Sequence, residues 1–303
     1  MFSDTHFHLR HIAERGVDCS AVLGALAVRD CRFALDVGTE SGDLSERLAF
    51  AENLVAGFVD DAAREKLRRM LRFSAGIWPS AEAISRRAEA VAELNACLSA
   101  HGRNRAVCAL GECGLDRCRN PDANGSALIQ GEAELFESQL VLARARSLPV
   151  IVHSRDAFGG TLSCIANAAH DFGVIHCFSY GIAEARRFLD RGWHISLSGS
   201  ITYAKKAQLA DVAALIAFIP RDRLLLETDA PYLAPVPFRG QANAPELAEH
   251  VYRFAAARLG VPAEELSAQV DANADALFGI RRQPDDRVSS KNSDTTRAHG
   301  QGT

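Results

Sequence analysis

Short apolar runs that stop at polar residues, each followed by a helix-like stretch, recur along almost the whole chain. The runs are MFSDTHFHL, CRFALDVGTE, RFSAGIWPS, RAVCALGECGLD, LPVIVHSRD, FGVIHCFSY, GWHISLSGS and RLLLETDAPYL, eight in all. Their ends are roughly 20–40 residues apart, a spacing that suits βα units joined by crossover helices. Segments such as VIV and LLLE are nearly continuous in apolar character, as parallel strands covered on both faces are. Between them, ELFESQLVLARARSLP places Phe136, Leu140 and Ala143 at i, i+4 and i+7, one buried stripe that Pro149 bars from continuing. Ala185–Leu189 and Asp211–Ile219 read in the same way. The stretch Asp43–Arg72 is longer and more charged than one crossover helix requires, which predicts two helices or a small excursion.

Strand and helix in alternation give an α/β fold with a parallel sheet. Eight units favour closure into a (β/α)₈ barrel, a single domain over residues 1–280, rather than an open doubly wound sheet. No internal sequence repeat is evident. From Arg281 the chain reads RRQPDDRVSSKNSDTTRAHGQGT, polar and without periodicity, so a disordered tail is expected over 281–303.

Composition narrows the function. With 303 residues and 48% apolar content the chain can bury a substantial core, and its net charge of −4 supplies no basic field for tight, non-specific nucleic-acid binding. No apolar run approaches the ~20 residues of a membrane span. The opening MFSDTHFHLRH lacks the features of a secretory signal. The eight cysteines form no CxxC pair and several sit inside apolar runs, so they read as small buried hydrophobes in a reducing compartment. The expectation is a cytoplasmic protein with no membrane contact and no obligate protein partner.

The candidate chemistry lies where the strands end. In Asp4-Thr5-His6-Phe7-His8, the period-2 alternation of a strand points His6 and His8 the same way. In a barrel that way is inward, at the end of the strand where active sites form. An HxH pair alone is met by chance. Strand four, however, ends in Gly111-Glu112-Cys113-Gly114-Leu115-Asp116, strand five in His153-Ser154-Arg155-Asp156, strand six in His176-Cys177-Phe178-Ser179, and strand eight in Glu227-Thr228-Asp229. Ionisable groups at an apolar barrel mouth are costly unless paired or bound to metal. Four histidines and two carboxylates, His6, His8, His153, His176, Glu112 and Asp229, suit Zn²⁺, Mn²⁺ or another first-row divalent ion better than Mg²⁺. They suffice for two ions with a carboxylate between them, which can ionise a water and hold phosphoryl oxygens. Glu227, one layer below Asp229, reads either as its support or as a satisfied barrel carboxylate, and Asp4 stands in the same relation to His6. His11, His101, His170, His194 and His250 read as ordinary polar residues.

Taken in order, DTHFHL, GECGLD, LPVIVHSRDA, VIHCFS, LSGSIT, LLLETDAPYLAP and RGQANAPE resemble the TatD family of metal-dependent deoxyribonucleases, a branch of the amidohydrolase-like metal barrels. The resemblance spans residues 1 to about 280. It implies a (β/α)₈ fold and a binuclear centre, with His6, His8, Glu112 and Asp229 around one ion and Glu112, His153 and His176 around the other. It also implies hydrolysis of phosphodiester bonds in DNA, from the 3′ end of single strands, with Asp229 both ligating and accepting a proton from water. The substrate comes from the resemblance alone.

The chain departs from the family pattern at three places. Gly76-Ile77-Trp78-Pro79-Ser80 stands where the family has GIHPH, FSYG with Tyr180 replaces FSG, and Asn243-Ala244-Pro245 replaces NEP with Glu246 displaced. Trp78 could stack on a base or pack against the rim. Arg155, Arg239 and Asn243 are the candidate phosphate contacts. The competing reading is a metal amidohydrolase or esterase acting on a small amide, lactone or aminoacyl ester. Such enzymes often carry a lysine at the end of strand four, where this chain has Glu112.

Overall fold

A computed structural model describes residues 2–29, 31–102, 104–121 and 126–279. The tail expected over 281–303 lies outside the described residues. Each of the eight predicted runs coincides with one strand, the third strand starting one residue before its run: β1 Asp4–Phe7, β2 Ala34–Asp36, β3 Leu71–Ala75, β4 Val107–Asp116, β5 Val150–Arg155, β6 Gly173–Ile175, β7 His194–Leu197 and β8 Leu224–Leu226. All neighbours pair parallel, in the order β1 to β8. The two ends of this sheet meet: Phe7 bridges Ala230, the Asp229 N–H donates to the His6 carbonyl at 2.9 Å, and the His8 N–H donates to the Ala230 carbonyl at 2.8 Å. The ring is a (β/α)₈ barrel.

Parallel neighbours cannot be joined by tight turns, so helices return the chain outside the ring. They are α1 Leu9–Glu14, α2 Cys19–Val28, α3 Leu44–Ala56, α4 Asp61–Met70, α5 Ala81–Ser85, α6 Arg87–Ala100, α7 Ser126–Arg146, α8 Phe158–Ala168, α9 Ile182–Leu189, α10 Leu209–Phe218, α11 Ala248–Leu259 and α12 Ala263–Phe278. With helices outside and side chains filling the ring, β5 and β8 bury both faces, and Val150–Val152 and Leu224–Leu226 are closed to solvent. The predicted stripe on α7 is inward: Phe136, Leu140 and Ala143 are fully buried.

The charged stretch Asp43–Arg72 resolves into two helices, α3 and α4, and has a task at the mouth. From α3, the buried Arg47 pairs with Asp43 and with Asp36 of β2, both at 3.1 Å, and also donates to the Ser74 carbonyl of β3. Asp36 in turn accepts the Leu9 N–H at 2.9 Å, fixing the chain just after His8. A buried arginine is tolerable only when paired in this way.

His194 on β7 is buried away from the mouth strands' ends, and burial, followed by nearby Arg223, lowers its pKa to about 4. An unfolded chain regains the ordinary value of 6.5 and so binds more protons than the folded one between these limits. Stability should therefore be complete above pH ~6.5 and fall as the pH drops towards 4, by up to about 3 kcal/mol from this group. Thermal melts of the parent and a His194→Gln protein across pH 4–7 should show the shallower acid slope in the variant. Parallel slopes would assign the acid sensitivity to other groups.

Candidate metal centre

The six expected side chains converge at the C-terminal mouth of the ring. His6 and His8 leave β1 on the same side, both buried, with their Nε2 atoms 3.2 Å apart. Glu112 reaches the axis from β4, where glycines at 111 and 114 let the backbone pass close against β5. Gly114, at φ +147°, passes so close to the His153 carbonyl that a Cβ would collide with it. The Glu112 backbone is held from both sides: its N–H donates to the Gly38 carbonyl at 2.7 Å, and the Ser74 hydroxyl donates to the Gly111 carbonyl at 2.6 Å. Asp229, beyond β8, adopts φ +59°, a conformation that costs a non-glycine residue energy. The seam bond to His6 and a 2.8 Å bond from the Tyr232 N–H to the Asp229 carbonyl hold it there.

The two oxygens of Glu112 face different partners. Oε2 lies 3.5 Å from His6 Nε2 and 3.6 Å from His8 Nε2, and those nitrogens lie 3.7 and 3.6 Å from Asp229 Oδ1. Oε1 lies 2.9 Å from both His153 Nδ1 and His176 Nε2, which are 3.3 Å apart. An ion with bonds of ~2.0–2.1 Å sets its donor atoms about 3.3 Å apart in a tetrahedron and about 2.9 Å apart in an octahedron. The second group matches these values at 2.9 and 3.3 Å, whereas in the first only the two nitrogens do, at 3.2 Å, and its nitrogen–oxygen separations of 3.5–3.7 Å are a few tenths of an ångström wider.

The histidine tautomers point to the same fit. His8 Nδ1 is 2.9 Å from the Val37 carbonyl, which can only accept, so Nδ1 carries the hydrogen. His153 Nε2 is 3.0 Å from the Asp116 carboxylate, and His176 Nδ1 is 3.4 Å from that of Glu227. Neutral rings so oriented aim the lone pair of their other nitrogen at carboxylate oxygens. That is repulsive unless a cation or a second proton lies between. The electrostatics agree. Burial disfavours charge on His8, His153 and His176, yet the adjoining carboxylates outweigh it and raise all three pKa values, His176 far above the usual range. His6, deeper, is lowered by burial and by its neighbour His176, whose ring stacks on it at 4.0 Å. Burial opposes charge on Glu112 and Asp229 as well, but the surrounding histidines keep both carboxyls below their ordinary values.

Glu227 and Asp4, each read as either a support or a satisfied barrel carboxylate, both have their oxygens hydrogen-bonded. Glu227 serves His176 rather than Asp229: besides facing His176 Nδ1, it accepts the Cys177 N–H and the Ser196 hydroxyl, each at 2.6 Å. Asp4 accepts the Thr228 hydroxyl at 2.5 Å and the N–H groups of Thr228 and His6, while burial raises its pKa to about 8. Asp116 was not anticipated as a site residue. It orients His153 with one oxygen and accepts the Cys118 and Arg119 N–H groups with the other. Period-2 alternation from Glu112 reaches it, a signal present in GECGLD. His11, read as an ordinary helical residue, lies beside His8 with ring centres 4.9 Å apart.

The expected substrate contacts divide. Asn243 is a correction: it is fully buried, and its side-chain N–H₂ donates to the Thr228 and Tyr232 carbonyls at 2.9 and 2.6 Å. Its amide is consumed in holding the loop after β8, so it cannot reach a phosphate. Arg155 and Arg239 are exposed, the latter with its guanidinium 4.5 Å from the Tyr203 ring. Trp78 is half-buried, its ring edge-on to His153 at 5.9 Å. Tyr180 turns inward, where its hydroxyl is 2.9 Å from Ser154 Oγ and accepts the Ala157 N–H at 3.0 Å.

A closed parallel barrel with histidines and carboxylates gathered at its C-terminal mouth defines the class of metal-dependent hydrolases. Within that class the chain belongs to the TatD-related DNase family, whose model matches residues 3–279. It is 34% identical over 282 residues to the Escherichia coli K12 protein named "Uncharacterized metal-dependent hydrolase YcfH", covering 91% of this chain and 95% of that one. It is 33% identical over 226 residues to the Klebsiella pneumoniae "3'-5' ssDNA/RNA exonuclease TatD", covering 71% and 82%. Among solved structures it resembles YJJV, a TatD homologue of E. coli K12, with a TM-score of 0.75 and 29% identity over 92% of this chain and 98% of that one. Among the described residues, no helix is long and apolar enough to cross a membrane.

Proposed function

We propose that this metal-dependent hydrolase cleaves phosphodiester bonds in DNA, from the 3′ end of single strands, with two divalent ions bound to His6, His8, Glu112, His153, His176 and Asp229. The observation that carries the reading is the division of Glu112, one oxygen directed to His6 and His8 and the other to His153 and His176. The exonuclease names of two relatives support the substrate and its polarity.

Bound there, the ions would supply Lewis acidity and neutralise charge on the phosphate oxygens. Glu112 keeps the two donor groups in register. Asp229, more open to the mouth than Glu112 (14% against 5% side-chain exposure), accepts the proton of the attacking water. Asp116 and Glu227 fix the rings of His153 and His176, so that the nitrogens facing Glu112 remain available. Arg155 and Arg239 meet the phosphates next to the cleaved one.

The test is hydrolysis of end-labelled single-stranded DNA by EDTA-stripped protein and by protein given Mg²⁺, Mn²⁺ or Zn²⁺. A ladder that shortens from the 3′ end, absent in EDTA and in a His6→Ala/His8→Ala control, is the expected result. About two bound ions per chain with no cleavage under any of them would retain the centre and remove DNA as substrate. Small amides, lactones and aminoacyl esters would then be assayed.

A further inference from the structure

We propose that Trp78 and Tyr232 form a two-ring clamp that stacks on the unpaired bases flanking the scissile phosphodiester; the inference rests on the nuclease reading above. In a ring of eight strands joined in sequence order, β4 and β8 lie opposite one another. Trp78 follows β3 and packs edge-on, across β4, against His153 of β5, at 5.9 Å and 72°. Tyr232 follows β8 and packs edge-on against His8 at 6.2 Å and 70°. Each ring therefore borders a different one of the two donor groups that share Glu112, on opposite sides of the mouth. A perpendicular contact leaves at least one face of each ring uncovered by its histidine. Tyr232 is 41% exposed, although tyrosines that only pack are mostly covered.

The surroundings suit a single strand. The Arg15 guanidinium lies over the Tyr232 ring, 5.8 Å from its centre, and that of Arg239 over Tyr203 at 4.5 Å, so two arginine–ring pairs stand on the segments that follow β1, β7 and β8. Arginines that meet phosphates beside rings that meet bases are the composition of a single-strand track. The chain's net charge of −4 gives it no general attraction for DNA, so recognition falls to such local contacts. A base-paired end cannot present its base faces without unpairing. The clamp thus selects frayed or single-stranded ends, and it requires a base on each side of the cut.

The molecule carries its own probe. It has two tryptophans, and Trp193 is fully buried at the start of β7, so a change in tryptophan emission on binding reports Trp78. The experiment titrates metal-loaded protein with a hexadeoxynucleotide bearing phosphorothioates at its last two linkages, reading tryptophan emission and, separately, the anisotropy of a 5′ label. Binding should quench the emission, and an abasic site at the 3′-terminal nucleotide should weaken binding. Trp78→Ala and Tyr232→Ala should each weaken it about five- to a hundredfold, with Trp78→Phe restoring most of the loss. Binding by anisotropy with unchanged emission, and with both alanine variants within twofold of the parent, would overturn the clamp and leave the nuclease reading standing. Absence of both binding and hydrolysis of unmodified DNA would remove the nuclease reading and the clamp with it.

Discussion

Asp229→Asn is expected to lower turnover on single-stranded DNA by about a thousandfold while leaving the fold intact. The amide occupies the same volume but cannot accept the proton of the attacking water, and general-base contributions run to roughly 10²–10⁴-fold. Asparagine also suits the backbone here. Asp229 sits at φ +59°, a region in which Asn and Asp are the most tolerated side chains, whereas alanine would confound lost chemistry with strain. The comparison is kcat for parent and variant, beside the melting temperature and metal content of each. Activity within about tenfold of the parent would remove Asp229 from the proton transfer.

Glu112→Gln is expected to abolish measurable hydrolysis and to lower the bound metal to half of the parent content or less. Burial would drive this carboxyl neutral, but His176, His153 and His6 hold it charged, well below the ordinary range. Glutamine offers one acceptor oxygen where glutamate offers two, so it can serve only one of the two donor groups. Its N–H₂ must then face the nitrogens or oxygens of the other. Loss of a group that merely supports a ligand weakens metal binding ~10–100-fold, and loss of a shared ligand should exceed that. The measurement is metal content by mass spectrometry after dialysis, with a thermal melt to verify folding. An unchanged metal content would show that Glu112 is not shared between two ions.

Much of this was legible in the sequence, for a definite reason. Strands buried on both faces write continuous apolar runs, and their mouth ends write the polar residues that follow, so eight runs and six convergent side chains could be read from order and spacing. What escaped depends on neighbours from other strands. Asp116 meets His153 across β4 and β5, a pairing that the register shift between Gly111 and Cys113 obscures. Glu227 and Asp229 both follow β8, but Glu227 directs its oxygens to Cys177, Ser196 and His176 from the adjacent units. Asn243 was misread because a polar residue in a mouth loop suggests a ligand contact, whereas its amide closes two backbone carbonyls inside that loop. The same limit hid Tyr232 and His11, whose rings approach His8 through space.

The seam between β1 and β8 ties the birth of the site to the arrival of the last strand. The Asp229 N–H closes on His6, the His8 N–H on Ala230, and the Asp4 carboxylate on Thr228, 224 residues away in sequence. The bonds that close the ring are made by the candidate metal ligands themselves and their immediate neighbours. During synthesis, therefore, the group around His6 and His8 is the last to form: until β8 has emerged, the first strand waits with an unpaired edge and its two histidines lack Asp229. Contacts this distant are slow to form. A chain cut short before Leu224 would be both inactive and prone to stick to its neighbours, so activity can appear only once the ring has closed.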